Sequence, residues 1–342
     1  MKFSSLRLCR GVAKWLLLGA SFAALQGCGM IYKTTGDILI SYGKSDMMPY
    51  VMTYDDVDMG CVMGLAQTPL LMSFESVGSN PDKLAVIVFA TAATCSDEKA
   101  LQEQLRYMRD IKAGDVSGAQ DARIMQKRWA ALSASRQLIS YNRAIKAYGD
   151  LSDGQCPKLK SDFDQLVWMF GMLSGLQALA NDTTAGGAVG VPRNIAANAA
   201  QGATCLDNAK WWGVPNGMRG VVWSLLPMLA PEGAKPWQML EDSANAGFKD
   251  GVRLGSALYA MAAYSKGDDA RLKQAIRDFA AHDKNINPNY RMLDAIAGSI
   301  VQGLSDRLWT QATGKRTPFG ELGQFWDDAP TQPKIDINDL LN

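Results

Sequence analysis

Cysteine is the residue type whose positions in this sequence point most directly to chemistry. Basic residues up to Lys14 and an apolar run from Trp15 to Leu25 form the two regions of a secretory signal, and the run is too short to span a bilayer. Cys28 follows this run after one small residue, Gly27, where cleavage of a signal is due. The alternative to a functional thiol at this position is an ordinary secretory signal with an incidental cysteine.

The stretch Leu25-Gln26-Gly27-Cys28 resembles the lipobox of bacterial lipoproteins. In that family the cysteine thiol takes a diacylglycerol, the signal is cleaved just before it, and the new amino end is usually acylated too. The resemblance implies that residues 1–27 are removed and that Cys28 begins the mature chain as its lipid anchor. The second residue of the mature chain would be Gly29 and not the Asp that alters sorting in proteobacterial lipoproteins. The resemblance therefore implies that the protein is anchored in the outer membrane and faces the periplasm.

Four further cysteines remain in the exported chain, and an oxidising compartment favours their pairing. Residues equally far from the turn of an antiparallel helix pair lie level with each other. The midpoint of Cys61 and Cys95 is Gly78, inside a predicted turn, and the midpoint of Cys156 and Cys205 falls at the start of a predicted loop after Ala180. We therefore predict disulfides Cys61–Cys95 and Cys156–Cys205; buried free cysteines are the alternative.

Catalytic and metal-binding chemistry is scarce elsewhere in the chain. His282 is the single histidine, and it lies near a predicted helix end, where a capping role is expected. The sequence contains no phosphate-binding glycine pattern, no G-x-S-x-G and no cysteine pair at metal spacing. We therefore expect no enzyme activity, no cofactor and no metal.

Composition indicates a globular protein without affinity for nucleic acid. The chain has 35 Lys and Arg against 34 Asp and Glu, and the signal carries four of the basic residues, so the mature net charge is near −3. Hydrophobic residues make up 47% of the chain. After Cys28 we expect no stretch to approach the roughly 20 apolar residues of a membrane span.

The chain divides into four parts. Residues 1–27 are the signal, and residues 28–52 are predicted to be a tether, because Gly, Lys, Ser and Asp dominate the middle of this segment. Residues 53–313 form an all-α domain of stacked antiparallel helix pairs, similar to a tetratricopeptide (TPR) bundle. Residues 314–342, in which Pro, Gly and Asp are common, are predicted to form an irregular tail on the surface.

Apolar spacing and capping residues predict the individual helices. Asp55 and Asp56 open the first, Pro81 starts an apolar helix to Thr94, and a buried strand is the competing interpretation for Leu84–Phe89. Ser96-Asp97-Glu98 is predicted to cap a separate third helix. The later helices are predicted at Gln120–Tyr148, from Ser161 onward, at Arg193–Gly202, Gly251–Tyr264 and Asp268–Ala281, and from Asn287 to Gln311.

Two longer stretches resemble a family of transport lipoproteins. One runs from Tyr54 through Asn80-Pro81 to Ala93, and the other comprises Leu254–Tyr264 and Asn289–Ala297. These stretches are similar to the T-component lipoproteins of tripartite periplasmic (TRAP) transporters, the TatT family. The resemblance implies a degenerate TPR-like fold, a cavity between helices, assembly as a homo-oligomer such as a trimer, and work with a periplasmic substrate-binding protein, on hydrophobic ligands.

Aromatic residues are the candidates for a ligand site. Small residues beside them on the predicted Gly251–Tyr264 helix indicate room for an apolar cavity, although packing of the aromatic residues in a core is the alternative. Arg253 and Arg291 could bind a ligand carboxylate or lie on a solvated helix face. We therefore predict a ligand-binding transport accessory, and a non-catalytic helical scaffold for envelope proteins is the alternative. The candidate ligand-binding residues are Trp211, Trp212, Trp223, Trp237, Tyr259 and Tyr264.

Overall fold

The computed structural model describes residues 29–151 and 154–328, and within these ranges the regular structure is entirely helical. The all-α prediction is therefore confirmed. The signal 1–27, Cys28 and residues 329–342 of the predicted tail lie outside the described residues. The described part of the tail, 314–328, is irregular, and it packs Phe325 into the core.

We number the helices in chain order. Helix α1 covers residues 29–42 and continues through a π-helical turn, Gly43–Met47, into Met48–Met52. The others are α2 Val57–Ser73, α3 Asp82–Ala113, α4 Val116–Tyr148, α5 Asp162–Ala185, α6 Ile195–Ala203, α7 Val214–Leu225, α8 Pro236–Asp250, α9 Leu254–Lys266, α10 Asp269–Ala281 and α11 Arg291–Thr313. Short 3₁₀ turns, Phe74–Val77 and Pro227–Leu229, follow α2 and α7.

The longest helices form a hairpin on which the amino-terminal half is built. Helices α3 and α4 have 32 and 33 residues, so at 1.5 Å rise per residue each is about 50 Å long. Gly114, in the left-handed conformation that favours glycine, ends α3, and the Asp115 side chain accepts from the Gly118 N–H to start α4. Helix α5 packs along α4, and α2 packs on α3.

Helix starts follow the predicted caps in several places. Asp56 accepts from the Met59 N–H at 2.9 Å, Ser161 from the Asp164 N–H at 3.2 Å, and Asp268 from the Arg271 N–H at 3.0 Å. Each of these side chains satisfies a donor that the first helical turn leaves without a partner. The helices α2, α5 and α10 therefore begin within a residue or two of the predicted positions.

The predicted break before Ser96 is wrong, because α3 runs through it without interruption. Ser96 Oγ donates to the carbonyl of Ala93 at 2.8 Å, a bond that a mid-helix serine can make. The Asp97 carboxylate accepts from side chains of α4 and α5 rather than from its own backbone. The strand alternative for Leu84–Phe89 is also wrong, since these residues belong to α3.

The segment 29–52, for which the sequence predicts a tether, is helical and contacts the body of the protein. Met48, Val51 and Met52 are buried, and a Cβ on Gly36 would lie within 2.8 Å of the Phe74 ring. The prediction of a tether was based on the polar residues of this segment. Gly36 and Gly43 lie at positions where α1 touches the body, so here they permit close packing.

Both predicted disulfides are present in the structure. Cys61 and Cys95 join α2 to α3 with Cα atoms 5.4 Å apart, and Cys156 and Cys205 join the segment before α5 to the end of α6 with Cα atoms 5.3 Å apart. Both separations lie within the range usual for disulfides. For Cys61–Cys95 the predicted turn is present, because Gly78 ends the 3₁₀ turn between α2 and α3. For Cys156–Cys205 the pairing is right but the reason for it is wrong, since α5 continues to Ala185 and the midpoint of the two cysteines lies inside this helix.

One described helix, Val57–Val77, is long and apolar enough to cross a membrane by length and composition. This corrects the expectation that no such stretch follows Cys28. The helix is also held to α3: Cys61 bonds Cys95, and a Cβ on Gly64 would lie 2.6 Å from the Ala92 nitrogen. Only 22% of the apolar stretch of this helix is buried, so one side of the helix faces outward.

Candidate functional site

Three of the predicted ligand-binding tryptophans are buried among other side chains. Trp211 is 2% exposed, and its indole N–H donates to Gln165 Oε1 at 2.9 Å. Trp212 packs edge-on against Trp211 and against Tyr290, with ring centroids 5.4 and 4.6 Å apart. The Trp211 ring is therefore buried and its N–H group has a hydrogen-bond partner, as is usual for a tryptophan in a protein core.

Trp223 is buried in a different cluster. It is 8% exposed and packs with Ala196, Ala200 and Val222, while the Arg219 guanidinium lies 4.6 Å from its ring centroid. Trp168, which the sequence analysis did not single out, is completely buried and donates its indole N–H to the carbonyl of Gly202 at 2.9 Å. The hydrogen bond from Trp168 to Gly202 links α5 to α6.

The other three predicted residues are half-buried. Trp237 and Tyr259 are neighbours, with ring centroids 6.2 Å apart, and the Arg271 guanidinium lies 4.3 Å from the Trp237 ring centroid. Tyr264 lies elsewhere, beside Arg307, and its hydroxyl accepts from Gln104 at 3.3 Å. The six aromatic residues are therefore divided among separate places and do not line one shared wall.

Small residues on α9 bring helices close together. Ala257, Ala260, Ala262 and Ala263 are at most 1% exposed, and a Cβ on Gly255 would lie 2.4 Å from the Ser243 carbonyl oxygen. The sequence analysis took these residues as a sign of room beside the aromatic rings. In the structure that space is taken up by the backbone of α8.

Two surface depressions are lined by charged residues. One, of about 410 Å³, lies between α10 and the tail, where Lys273 and Arg277 pair with Asp327 and Asp328. The other, of about 370 Å³, includes Arg291, which pairs with Asp55. None of the six predicted aromatic residues lines either depression.

Among the described residues, no group of His, Cys, Asp and Glu side chains is arranged to hold a metal ion. His282 ends α10, where its Nδ1 lies 2.7 Å from the carbonyl oxygen of Asp278, and its ring stacks on Phe248 with centroids 4.1 Å apart. Both contacts belong to the helix end. The geometry of His282 therefore fits the predicted capping role.

A polar cluster that sequence reasoning missed connects α3, α4 and α5. Asp97 accepts from Gln137 at 3.0 Å and from Asn181 at 2.9 Å, and Asn181 also donates to Gln137 Oε1 at 2.9 Å. Burial raises the pKa of the Asp97 carboxyl to about 6, against the lowering effects of its hydrogen-bond partners and of Arg307. A displaced pKa can mark a functional site, but here the amide donors of two other helices use both carboxylate oxygens.

We expect Asp97 to make the protein less stable as pH rises from about 4 to about 6. Its folded pKa exceeds the unfolded value, so the folded state binds the proton more tightly, and that stabilisation is complete only below the unfolded pKa. The loss should be about 1–3 kcal/mol. Asp97→Asn should remove it, which urea unfolding at pH 4.5 and pH 7 can measure as the difference from wild type.

The comparison with wild type matters because other carboxylates act in the opposite direction. Arg143 and Lys146 lower the pKa of Glu75 to about 2, so its stabilisation is present above the unfolded pKa and is lost on acidification. Glu232→Gln, at an exposed loop position, is the matched control. If the stability of the Asp97→Asn protein depends on pH in the same way as that of this control, ionisation of Asp97 does not destabilise the folded protein.

The comparisons with known proteins complete the description of the site. No family model matches this chain, and searches of curated proteins and of solved structures found no match either.

Proposed function

We propose that this chain is a non-catalytic, lipid-anchored helical scaffold at the periplasmic face of the outer membrane, where it presents rigid surfaces to other envelope proteins. The observation that carries this proposal is the burial of Trp211, Trp212 and Trp223, which are used for packing. A scaffold needs a stable body with defined outer faces and no enclosed ligand site.

Rigidity supports this function. The long α3–α4 hairpin is joined to α2 by one disulfide, and a second disulfide fixes the end of α6. Arg253 and Asp294, both buried, tie the start of α9 to α11 through two parallel hydrogen bonds of 2.8 and 2.6 Å. Cross-links and buried ion pairs of this kind restrict movement between helices.

The anchor is part of the proposal. Helix α1 is already formed at Gly29, so acylation of Cys28 would attach the bilayer directly to a folded element. Helix α2 is apolar enough to span a membrane, but its bond to Cys95 and its close contact with α3 favour a role as a surface helix. Lipid on Cys28 is then sufficient for attachment.

A second candidate is the transport accessory of a TRAP-type system, which would pass an apolar or amphipathic molecule to a periplasmic substrate-binding protein. The pair Trp237 and Tyr259 favours it, because both rings are half-buried and offer aromatic surface to an apolar ligand. Arg271 lies over the Trp237 ring and pairs with Asp268 at 2.6 Å. Assembly as a trimer belongs to this candidate.

Native mass spectrometry of the unacylated protein, purified from periplasm, distinguishes the two candidates. The scaffold predicts the mass of the polypeptide with two disulfides and no small molecule attached. A stoichiometric apolar adduct would contradict the scaffold. Loss of that adduct in Trp237→Ala, with retention in Trp129→Ala, would assign it to the transport accessory; Trp129 lies on α4, where it contacts Lys99.

A further inference from the structure

Helix α1 carries a second apolar face that the body of the protein does not cover. Ile31, Ile38 and Tyr42 are each 57–64% exposed, and their spacing of seven and four residues places them on one side of the helix. We call these three residues the outer stripe of α1.

The outer stripe lies opposite the face by which α1 packs. A Cβ on Gly36 would lie 2.6 Å from Ser79 Oγ, and one on Gly43 would lie 2.7 Å from Leu84 Cδ1, so both glycines face the body. At about 100° per residue, Ile38 and Tyr42 point roughly 200–240° away from Gly36. Lys33 and Asp37, which pair with each other, lie to the side of the stripe.

Helix α2, which is a neighbour of α1, has an exposed apolar face of its own. Gln67 on α2 donates to the Met47 sulfur, and Phe74 at its end meets Gly36. On its outer side Val62 and Leu70 are 60% and 56% exposed. The stretch Val57–Val77 contains no Lys or Arg, which is unusual for a helix that faces water. Met59, Val62, Leu65 and Leu70 form the outer face of α2.

We propose that the outer stripe of α1 and the outer face of α2 lie on the phospholipid surface that holds the acylated Cys28, a proposal that rests on the lipid anchoring proposed above. Ile31 follows Cys28 by three residues, and three residues span at most about 11 Å even when fully extended, so the stripe begins close to the anchor. An apolar face tied so closely to the bilayer has lipid as its nearest partner.

The residue types on this surface fit a membrane interface. Tyr42 is 57% exposed, and tyrosine is enriched where an apolar ring meets lipid headgroups. Helices that lie in the interface bury their apolar side about 5–10 Å deep and keep their polar side outward. The inner sides of α1 and α2 are bound to the protein, so only their outer sides can enter the lipid.

Fluorescent probes on the acylated protein test this orientation. Ile38→Cys labelled with nitrobenzoxadiazole and reconstituted in phosphatidylethanolamine–phosphatidylglycerol vesicles should lose roughly half its emission when nitroxide-labelled lipid is added, because the probe reaches the interface. The same label on Ile124→Cys, an exposed position on α4, is the matched control and should lose little. Equal quenching at the two positions would overturn the proposal.

Two further results separate the alternatives. A probe at position 38 that is shielded from water but unaffected by lipid quencher would mean that a second copy or another protein covers the stripe, which overturns the proposal. The unacylated protein should bind the same vesicles weakly, and Ile31→Ser/Ile38→Ser/Tyr42→Ser should reduce that binding roughly tenfold. Ile111→Ser/Val116→Ser/Ile124→Ser is the control for exposed apolar residues elsewhere. If the protein is anchored through acylated Cys28 but the probe at position 38 is exposed to water, the lipid anchor stands. Only the inference that the outer stripe lies on the membrane is then contradicted.

Discussion

Replacing Asp294 with alanine should lower the free energy of unfolding by about 3–5 kcal/mol, because it leaves the Arg253 guanidinium charged and unpaired inside the protein. Arg253 and Asp294 are 7% and 4% exposed. The carboxylate accepts from Arg253 Nε at 2.8 Å, from its terminal nitrogen at 2.6 Å and from its backbone N–H at 3.1 Å. The remaining guanidinium nitrogen donates to the carbonyl of Phe279 at 2.9 Å, so Arg253 fixes α9, α10 and α11 together.

Two variants make the Asp294 result specific. Arg253→Met/Asp294→Leu removes both charges and should recover most of the loss, since no buried charge is left without a partner. Arg291→Ala breaks the exposed pair with Asp55 and should cost at most about 1 kcal/mol. Urea unfolding measures all three. An Asp294→Ala protein as stable as Arg291→Ala would show that water reaches Arg253 readily.

Replacing Cys28 with serine should move the protein from the membrane fraction to the soluble periplasmic fraction. Each acyl methylene contributes about 0.8 kcal/mol when buried in lipid, so removal of all chains abolishes stable attachment. The variant needs a secretory signal with an ordinary cleavage site, because an uncleaved signal would itself hold the chain at the membrane. Fractionation followed by extraction with sodium carbonate is the measurement.

Cys9→Ser is the matched control for this experiment. Cys9 lies in the basic region of the predicted signal, and the proposed cleavage before Cys28 would remove it, so its loss should leave the mature protein attached. Carbonate-resistant attachment of the Cys28→Ser protein would show that something other than acyl chains anchors the mature protein. Weak, carbonate-sensitive binding is instead the behaviour expected from the outer stripe of α1.

Local signals explain the parts of the fold that the sequence predicted. Asp56, Ser161 and Asp268 start helices because each side chain accepts a hydrogen bond from a backbone N–H three residues ahead. The Cys61–Cys95 disulfide follows from the same local information, since the turn at Gly78 places these two cysteines level. The Cys156–Cys205 disulfide does not, because its midpoint lies inside α5. Capping and turn formation depend on neighbours in sequence and can therefore be recognised without a structure.

Long-range contacts explain what the sequence did not predict. Asp97 looks like a helix cap until its partners Gln137 and Asn181, 40 and 84 residues away, are known. Arg253 was assigned either a ligand carboxylate or a solvated face, but its partner Asp294 lies 41 residues further along the chain. Burial of a charge depends on such distant partners, so residue type and spacing alone could not reveal it.

The tryptophans show the same limit for the candidate site. Pro and Trp residues between 211 and 237 predicted bends, short helices and large aromatic surfaces. Helix α7 has 12 residues and is followed by the short 3₁₀ turn Pro227–Leu229, whereas α8 has 15 residues. Whether an aromatic ring lines a cavity or fills a core depends on how closely the backbones approach. Gly213, Gly217 and Gly255 all bring their backbones against Ser243, which closes the space that the composition indicated.

Thermal melting combined with uptake of a fluorescent fatty-acid analogue tests the central claim, that the Trp-rich middle is structural core. Trp211→Ala should lower the free energy of unfolding by about 3–5 kcal/mol, whereas half-buried Trp237→Ala should cost clearly less. Wild-type protein should show no saturable uptake that depends on Trp211. A Trp211→Ala protein that melts like wild type but has lost saturable uptake of the analogue would contradict the account.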